Sequence, residues 1–181
     1  MKNENKVFIA RSLDGYIADR DGGLDWLNTV PNPDHLDLGY ENFLEGVDAI
    51  ILGRTTFEVV CSFDMEWPYK IPVFVLSRTL SSVPDTLKDK AEVVNGPLPD
   101  ILKQLHKKGY YRLYIDGGAT IQSFLKEDLI DELIITIIPI MLGGGIPLFG
   151  ELPSELEFEH VESVLYLDAL VQDTYRRKRI S

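Results

Sequence analysis

The chain has 181 residues, 45% of them hydrophobic and 26% charged, with a formal charge of −11 and one cysteine. That length and composition suit one domain over residues 1–181 with a substantial core, and the acidic balance excludes a non-specific nucleic-acid or anionic-membrane binder. Single Cys61 excludes an intramolecular disulfide, no apolar run approaches a membrane span, and without a signal-like start the cytoplasm is the expected compartment. His35, His106 and His160 lie far apart, so no metal site is expected.

In chain order, the first predicted strand is Lys6–Ala10. It is followed by "SLDGYIA" (Ser12 to Ala18) and "GGLDWL" (Gly22 to Leu27). Asp34–Glu45 reads as a helix with Leu38, Phe43 and Leu44 near one side. Strand Ala49–Leu52 breaks at Gly53 into Arg54-Thr55-Thr56 and a helical stretch holding Cys61, read as a small core residue. Strand Val73–Ser77 runs into Arg78-Thr79, strand Ala91–Val94 precedes helix Pro99–Lys107, and strand Arg112–Ile115 leads into Asp116-Gly117-Gly118-Ala119-Thr120 and helix Ala119–Lys126. Leu133–Ile138 is a further strand, and Gly143-Gly144-Gly145 reads as a loop or bulge. From Glu157 to Arg179 the pattern is an antiparallel hairpin turning near Leu167-Asp168. Strands separated by helices make parallel crossovers buried on both faces. The expected class is α/β, with a mixed sheet of about eight strands and helices on both sides.

Three strand ends carry unusual chemistry, and crossover topology places all three at one edge of the sheet, where ligands of open α/β sheets gather. After the second strand, Gly53-Arg54-Thr55-Thr56 is either a turn with an N-cap or a seat for phosphate. After the third, Ser77 and Arg78 are either a solvated loop or a phosphate cradle. The paired glycines Gly117-Gly118 make either a turn or a close backbone approach to a ligand. Together the ends suit a ligand with more than one phosphate, and a dinucleotide is the natural candidate. No G-x-G-x-x-G fingerprint is present.

"ILGRTTFE", "VLSRTL" and "IDGGATIQSFL", in this order and spacing, resemble dihydrofolate reductase and the reductase domain of bifunctional riboflavin-biosynthesis deaminase/reductase proteins. "GGLDWL" and "DELIITIIPIMLGGGIPLF" extend the resemblance, and "SLDGYIA" and "DAIILGRTT" bring it closer to the riboflavin-type branch. It implies a three-layer, dihydrofolate reductase-like fold and an NADPH-dependent reductase. Gly53, Arg54, Thr55 and Thr56 would then hold cofactor phosphates, with Ser77 and Arg78 at the 2′-phosphate. Gly117, Gly118, Ala119 and Thr120 would lie by the pyrophosphate, Gly117-Gly118 matching a pair joined by a cis peptide in dihydrofolate reductases. Ala10 and Ile17 would line the nicotinamide pocket.

On the substrate side, ungapped counting back from Gly53 puts Asp37 at the pterin-gripping carboxylate of bacterial dihydrofolate reductases. Asp14 and Asp116 match acids of the riboflavin-type branch, though Asp14 also suits a turn before Gly15. A lysine expected on the strand before "SLDG" is replaced within Phe8-Ile9-Ala10-Arg11, and "CSFDMEWPYK" stands where a "DDPxLxxR" run is expected. The leading expectation is hydride transfer to a pterin or aminopyrimidine. The alternatives are reduction of an unrelated heterocycle or carbonyl compound, or a nucleotide-binding dimer without catalysis. A homodimer is expected from the apolar run Ile134–Ile140 and the exposed terminal hairpin.

Overall fold

Short apolar strands with few polar alternations bury both faces only if helices lie over each. In the computed structural model, which describes residues 3–179, the chain does this with β1 (Glu4–Ser12), β3 (Ala49–Gly53), β4 (Val73–Leu76), β5 (Ala91–Val94), β6 (Arg112–Asp116) and β7 (Glu132–Ile138). These pair in parallel, and β10 (Leu170–Arg177) adds antiparallel to β7 with β9 (Phe158–Tyr166) at the edge. The eight strands run β5-β4-β3-β6-β1-β7-β10-β9.

The period of two along each strand sorts side chains into two cores. Ala49, Ile51, Leu113 and Ile115 face α3 (Leu98–Lys107) and α4 (Gly118–Lys126), whose Ile101, Leu105, Ile121 and Phe124 are buried. Ile50, Leu52, Val73, Val75 and Tyr114 face the other way, onto Phe43 of α1 (Tyr40–Glu45) and Phe57 of α2 (Arg54–Ser62). Each such side chain removed from water stabilises by roughly 1.5–3 kcal/mol. A third cluster of Trp26, Ile138 and Leu170 closes the β1–β7–β10 end.

Several sequence expectations change. The helix expected over Asp34–Glu45 keeps only Tyr40–Glu45. Pro31 and Pro33 disfavour an early start, and His35, Leu38 and Gly39 take positive φ values of 50°, 56° and 83°. The Asn32 amide also donates to the Leu36 carbonyl (2.8 Å) and accepts its N–H (2.9 Å), satisfying groups that a helix would have paired. The run Ile134–Ile140 is apolar because β7 sits between β1 and β10, with Ile135 and Ile138 buried; it is not a free surface. Cys61 is exposed on α2 and not in a core. The terminal hairpin is present, turning through Leu167 and Asp168 at φ 53° and 52°. A small unpredicted sheet pairs β2 (Tyr16–Ala18) with β8 (Ile146–Pro147), and it needs glycine at 145 because a Cβ there would strike the Ala18 carbonyl.

Candidate active site

The carboxyl ends of β4, β3 and β6 are neighbours, with Gly53 beside Leu76 and Leu52 beside Asp116. Each of the two central ends feeds a helix through a glycine N-cap without a side-chain cap: Gly53 before α2 and Gly117 before α4. The first-turn N–H groups of both helices therefore stay free for an acceptor. Neither Thr55 nor Thr56 caps α2, so the simple cap reading of this stretch does not hold. The two turns are instead tied to each other. A Cβ on Gly53 would lie 2.6 Å from Thr120 Oγ1, and one on Gly117 would lie 2.5 Å from Thr56 Oγ1.

All peptide bonds among the described residues are trans, so Gly117-Gly118 does not form the expected cis pair. Gly117 turns the chain through φ 98° and ψ 131°, a conformation only glycine adopts without strain. Gly118 lies under β2, where an added Cβ would be 2.7 Å from Ile17 Cδ1. Ile17 thus stands over the glycine turn, whereas Ala10 packs in the separate Trp26 cluster. Ala119 is exposed and Thr120 buried.

At the β4 end, buried Ser77 organises the turn: its Oγ accepts the Leu80 N–H (2.9 Å) and the Thr79 N–H (3.2 Å). That turn leaves Arg78 exposed and without a partner among the described residues. Arg54 is also exposed, held only by a loose 3.8 Å contact with Glu58. Arg54 is the first residue of α2, and Arg78 follows β4, the strand that pairs with β3.

The three candidate acids part company. Asp14 accepts the Ser12 hydroxyl (2.6 Å) and the Leu142 and Gly143 N–H groups (3.1 and 2.7 Å), which hold its carboxyl below the usual range. It ties the β1–β2 turn to the glycine-rich loop. Exposed Asp37 accepts the Glu41 N–H (2.7 Å) and the Gly39 N–H (3.2 Å), which lower its pKa in the same way. It fixes the turn that leads into α1, whose Phe43 is buried against the sheet with Tyr40 packed beside it. Asp116, ending β6, is the chemically distinctive one. Burial pushes its carboxyl up to about 6, partly offset by the Gly117 N–H, which donates to Oδ1 at 2.8 Å. Burial first, and its charge second, raise the phenols of Tyr40, Tyr69 and Tyr114; Tyr114 lies two residues before it on β6, and Tyr40 packs edge-on against Tyr114 at 6.2 Å.

Residues 6–170 match the model of the RibD C-terminal domain. The chain belongs to this family. A Shewanella sp. PV-4 protein described as a riboflavin-biosynthesis protein is 57% identical, superposes with a TM-score of 0.95, and is matched over 97% of this chain and 99% of that one. At the level of fold alone, a Thermotoga maritima deaminase/5-amino-6-(5-phosphoribosylamino)uracil reductase is 18% identical with a TM-score of 0.74, covering 98% of this chain and 57% of that one. Dihydrofolate reductase from Enterococcus faecalis, solved with NADP(H), is 23% identical with a TM-score of 0.64, each chain covered over 97% of its length.

In this RibD-type domain, the fold is dihydrofolate reductase-like and the strand ends sit together as the motifs implied. The reading of single residues missed Tyr40 and Tyr69. Tyr40 was hidden by an overlong helix, and Tyr69 lies in "CSFDMEWPYK", where sequence showed only a departure. The Gly143–Gly145 run is accounted for by Asp14 and β2, with no free face toward the strand ends required.

Two outcomes follow from this geometry. Gly117→Ala should destabilise by about 2–4 kcal/mol, against about 1 kcal/mol for Gly22→Ala, because Gly22 has a similar φ of 81° but no atom within 4 Å of an added Cβ. Equal urea midpoints for the two variants would reject the interlock. For Asp116, the folded pKa near 6 lies above the ordinary carboxyl value of 3.8, so the folded state keeps its proton longer. Stability contributed at low pH is therefore lost as pH rises through that window, by at most about 3 kcal/mol. Urea unfolding of wild type and Asp116→Asn across pH 4–7 should show the wild type losing ground by up to that amount, and a constant difference would contradict the raised pKa.

Proposed function

We propose that the chain is an NADPH-dependent reductase that transfers hydride to an aminopyrimidine of riboflavin biosynthesis or a related pterin-like ring. What supports this most is the adjacency of two uncapped helix starts and unpartnered Arg78 along one strand-end edge, in a member of the RibD C-terminal family. NADPH fits these residues. Free N–H groups of α2 and α4 and the Arg54 guanidinium suit its pyrophosphate, and Arg78 suits the 2′-phosphate. Ser77 fits less directly, since its oxygen already accepts two N–H groups and only its proton is free to donate.

Bound nicotinamide would supply the hydride. The chain's own contribution to the chemistry is at Asp116, whose Oδ1 accepts the Gly117 N–H at 2.8 Å, leaving the other oxygen for a substrate. With a pKa near 6 this group can hold or release a proton close to neutral pH, the condition for an effective acid–base residue. That property favours turnover over a binding-only module. Asp37 and Asp14 have their oxygens engaged with backbone, so in this reading neither delivers the proton. Among the described residues no helix is long and apolar enough to cross a membrane, and Cys61 is free; we place the enzyme in the cytoplasm.

We also propose a homodimer through one face of the β9–β10 hairpin. Leu165 and Val171 pair across that face and are 60% and 39% exposed, with no helix layered over them. Its charges are mixed, Arg11 and His160 against Asp173, whereas Glu159 and Glu162 fall on the opposite face. A chain of net charge −11 meets least repulsion on such a face.

Titration by fluorescence quenching should show NADPH binding tighter than NADH, with Arg78→Ala weakening NADPH by roughly 1.5–3 kcal/mol and NADH little. Equal affinity for the two cofactors would remove the role given to Arg78. Light scattering should return a dimer mass for wild type and a monomer for Leu165→Glu. A monomeric wild type across micromolar concentrations would reject the hairpin interface.

A further inference from the structure

Two phenols on the α1 and α2 side of the sheet have no structural task for their hydroxyls. Tyr40 opens α1 and Tyr69 follows α2, and both pack on the cluster that contains Tyr114. The Tyr40 ring meets Tyr114 edge-on at 6.2 Å, and Phe8 at 5.4 Å. Tyr69 is held edge-on by Trp67 at 5.2 Å, itself braced on Phe57 at 5.8 Å. Tyr114 stands two residues before Asp116 on the same strand and so on the same face. Its hydroxyl donates to the Phe8 carbonyl at 2.9 Å, which is the usual fate of a buried phenol. The Tyr40 and Tyr69 hydroxyls, by contrast, have no hydrogen-bond partner among the described residues, yet neither is sealed from solvent. Both rings are fixed by packing while their polar ends remain available.

We infer that Tyr40 and Tyr69 are substrate-recognition residues that work with Asp116 to read the amide–amine edge of an uncharged planar heterocycle. The inference rests on the reductase reading above. Each phenol can donate to a ring carbonyl or nitrogen and accept from an amino group, and Asp116 can accept or, when protonated, donate. Three such groups from α1, the segment after α2, and β6 read a mixed donor–acceptor edge. They offer no positive charge. Among the described residues Asp116 accepts the Gly117 N–H at 2.8 Å and pairs with no cation. A phosphate on the substrate would find its nearest ammonium, along the chain, at exposed Lys70 beside Tyr69. Arg54 and Arg78 are already assigned to the cofactor. The recognised unit is therefore the ring edge, and a phosphorylated tail is dispensable.

Tyr40→Phe and Tyr69→Phe keep the ring packing and remove only the hydroxyls. Two measurements apply: NADPH oxidation with a ribosylaminopyrimidinone carrying or lacking its 5′-phosphate, and calorimetric binding of that unphosphorylated compound to cofactor-free protein. Each variant should raise KM and the calorimetric Kd by about three- to tenfold while leaving NADPH affinity and the acid limb of the kcat profile unchanged. Removing the 5′-phosphate should change kcat/KM by less than about threefold. Unchanged KM and Kd in both variants would overturn the recognition role. A tenfold or greater need for the phosphate, abolished by Lys70→Ala, would overturn the substrate class. Binding of NADPH with no turnover or binding of either pyrimidine would overturn it too. Failure of the wild type to bind NADPH would instead sink the reductase reading, a separate and visible result.

Discussion

The contact on which the site depends is the reciprocal one between the β3 and β6 turns, in which each glycine leaves room for a threonine of the other turn. Gly53 accommodates Thr120, and Gly117 accommodates Thr56. Parallel pairing of β3 with β6 sets the two turns side by side, and the missing Cβ atoms let them close up. Two helix starts then point their free N–H groups from neighbouring positions. A side chain at either glycine would push the turns apart, and the shared donor surface would be lost. The strand-end chemistry is thus a packing consequence before it is a binding one.

The cap of α1 shows how small local choices redirect chemistry. Asp37 is spent on the Gly39 and Glu41 N–H groups, and the helix that follows buries Phe43 against the sheet and packs Tyr40 beside it. An acid that resemblance would place against the substrate is a structural residue here. The acid left at the strand ends is Asp116, which closes β6 in a partly buried position on the face that carries Tyr114, with Tyr40 packed against Tyr114. Burial, not a neighbouring charge, makes it a group able to exchange a proton near neutrality.

Much of this was legible in the sequence, for identifiable reasons. Ala49–Leu52 and Arg112–Ile115 are uninterrupted apolar runs because both faces are covered, and their ends were visible as glycines followed by helical patterns. The hairpin showed in its alternation and turn. What stayed hidden depended on distance in sequence. Nothing local links Thr56 to Gly117, Asp14 to Gly143, or Tyr69 to Asp116. The overlong helix at Asp34–Glu45 failed because helical spacing of Leu38, Phe43 and Leu44 ignored the Asn32–Leu36 side-chain bonds and the backbone at His35 and Leu38. The buried run in β7 read as a surface because apolarity alone does not distinguish a central strand from an interface.

The two edges of the sheet differ in how completely their polar groups are paired. At the amino edge, Asp48 accepts the Tyr111 and Arg112 N–H groups and the Arg112 guanidinium, and Asp131 accepts the Asn5 N–H. Arg177 meets Asp128, and Lys6 and Arg176 meet Glu132. Among the described residues, the Asn5 amide oxygen and His106 Nε2 are the unpaired buried side-chain atoms there. At the carboxyl edge the free groups are more numerous and chemically varied: Arg78, the Tyr40 and Tyr69 hydroxyls, one Asp116 oxygen and two helix starts. Desolvating a polar group without a partner costs roughly 1–3 kcal/mol, so a fold does better to keep such groups where water or a ligand can reach them. Concentrating them at one edge, over a rigid aromatic and aliphatic floor, keeps them within reach of water or a ligand. The opposite edge, cross-linked by ion pairs, holds the strands in the register that arrangement needs.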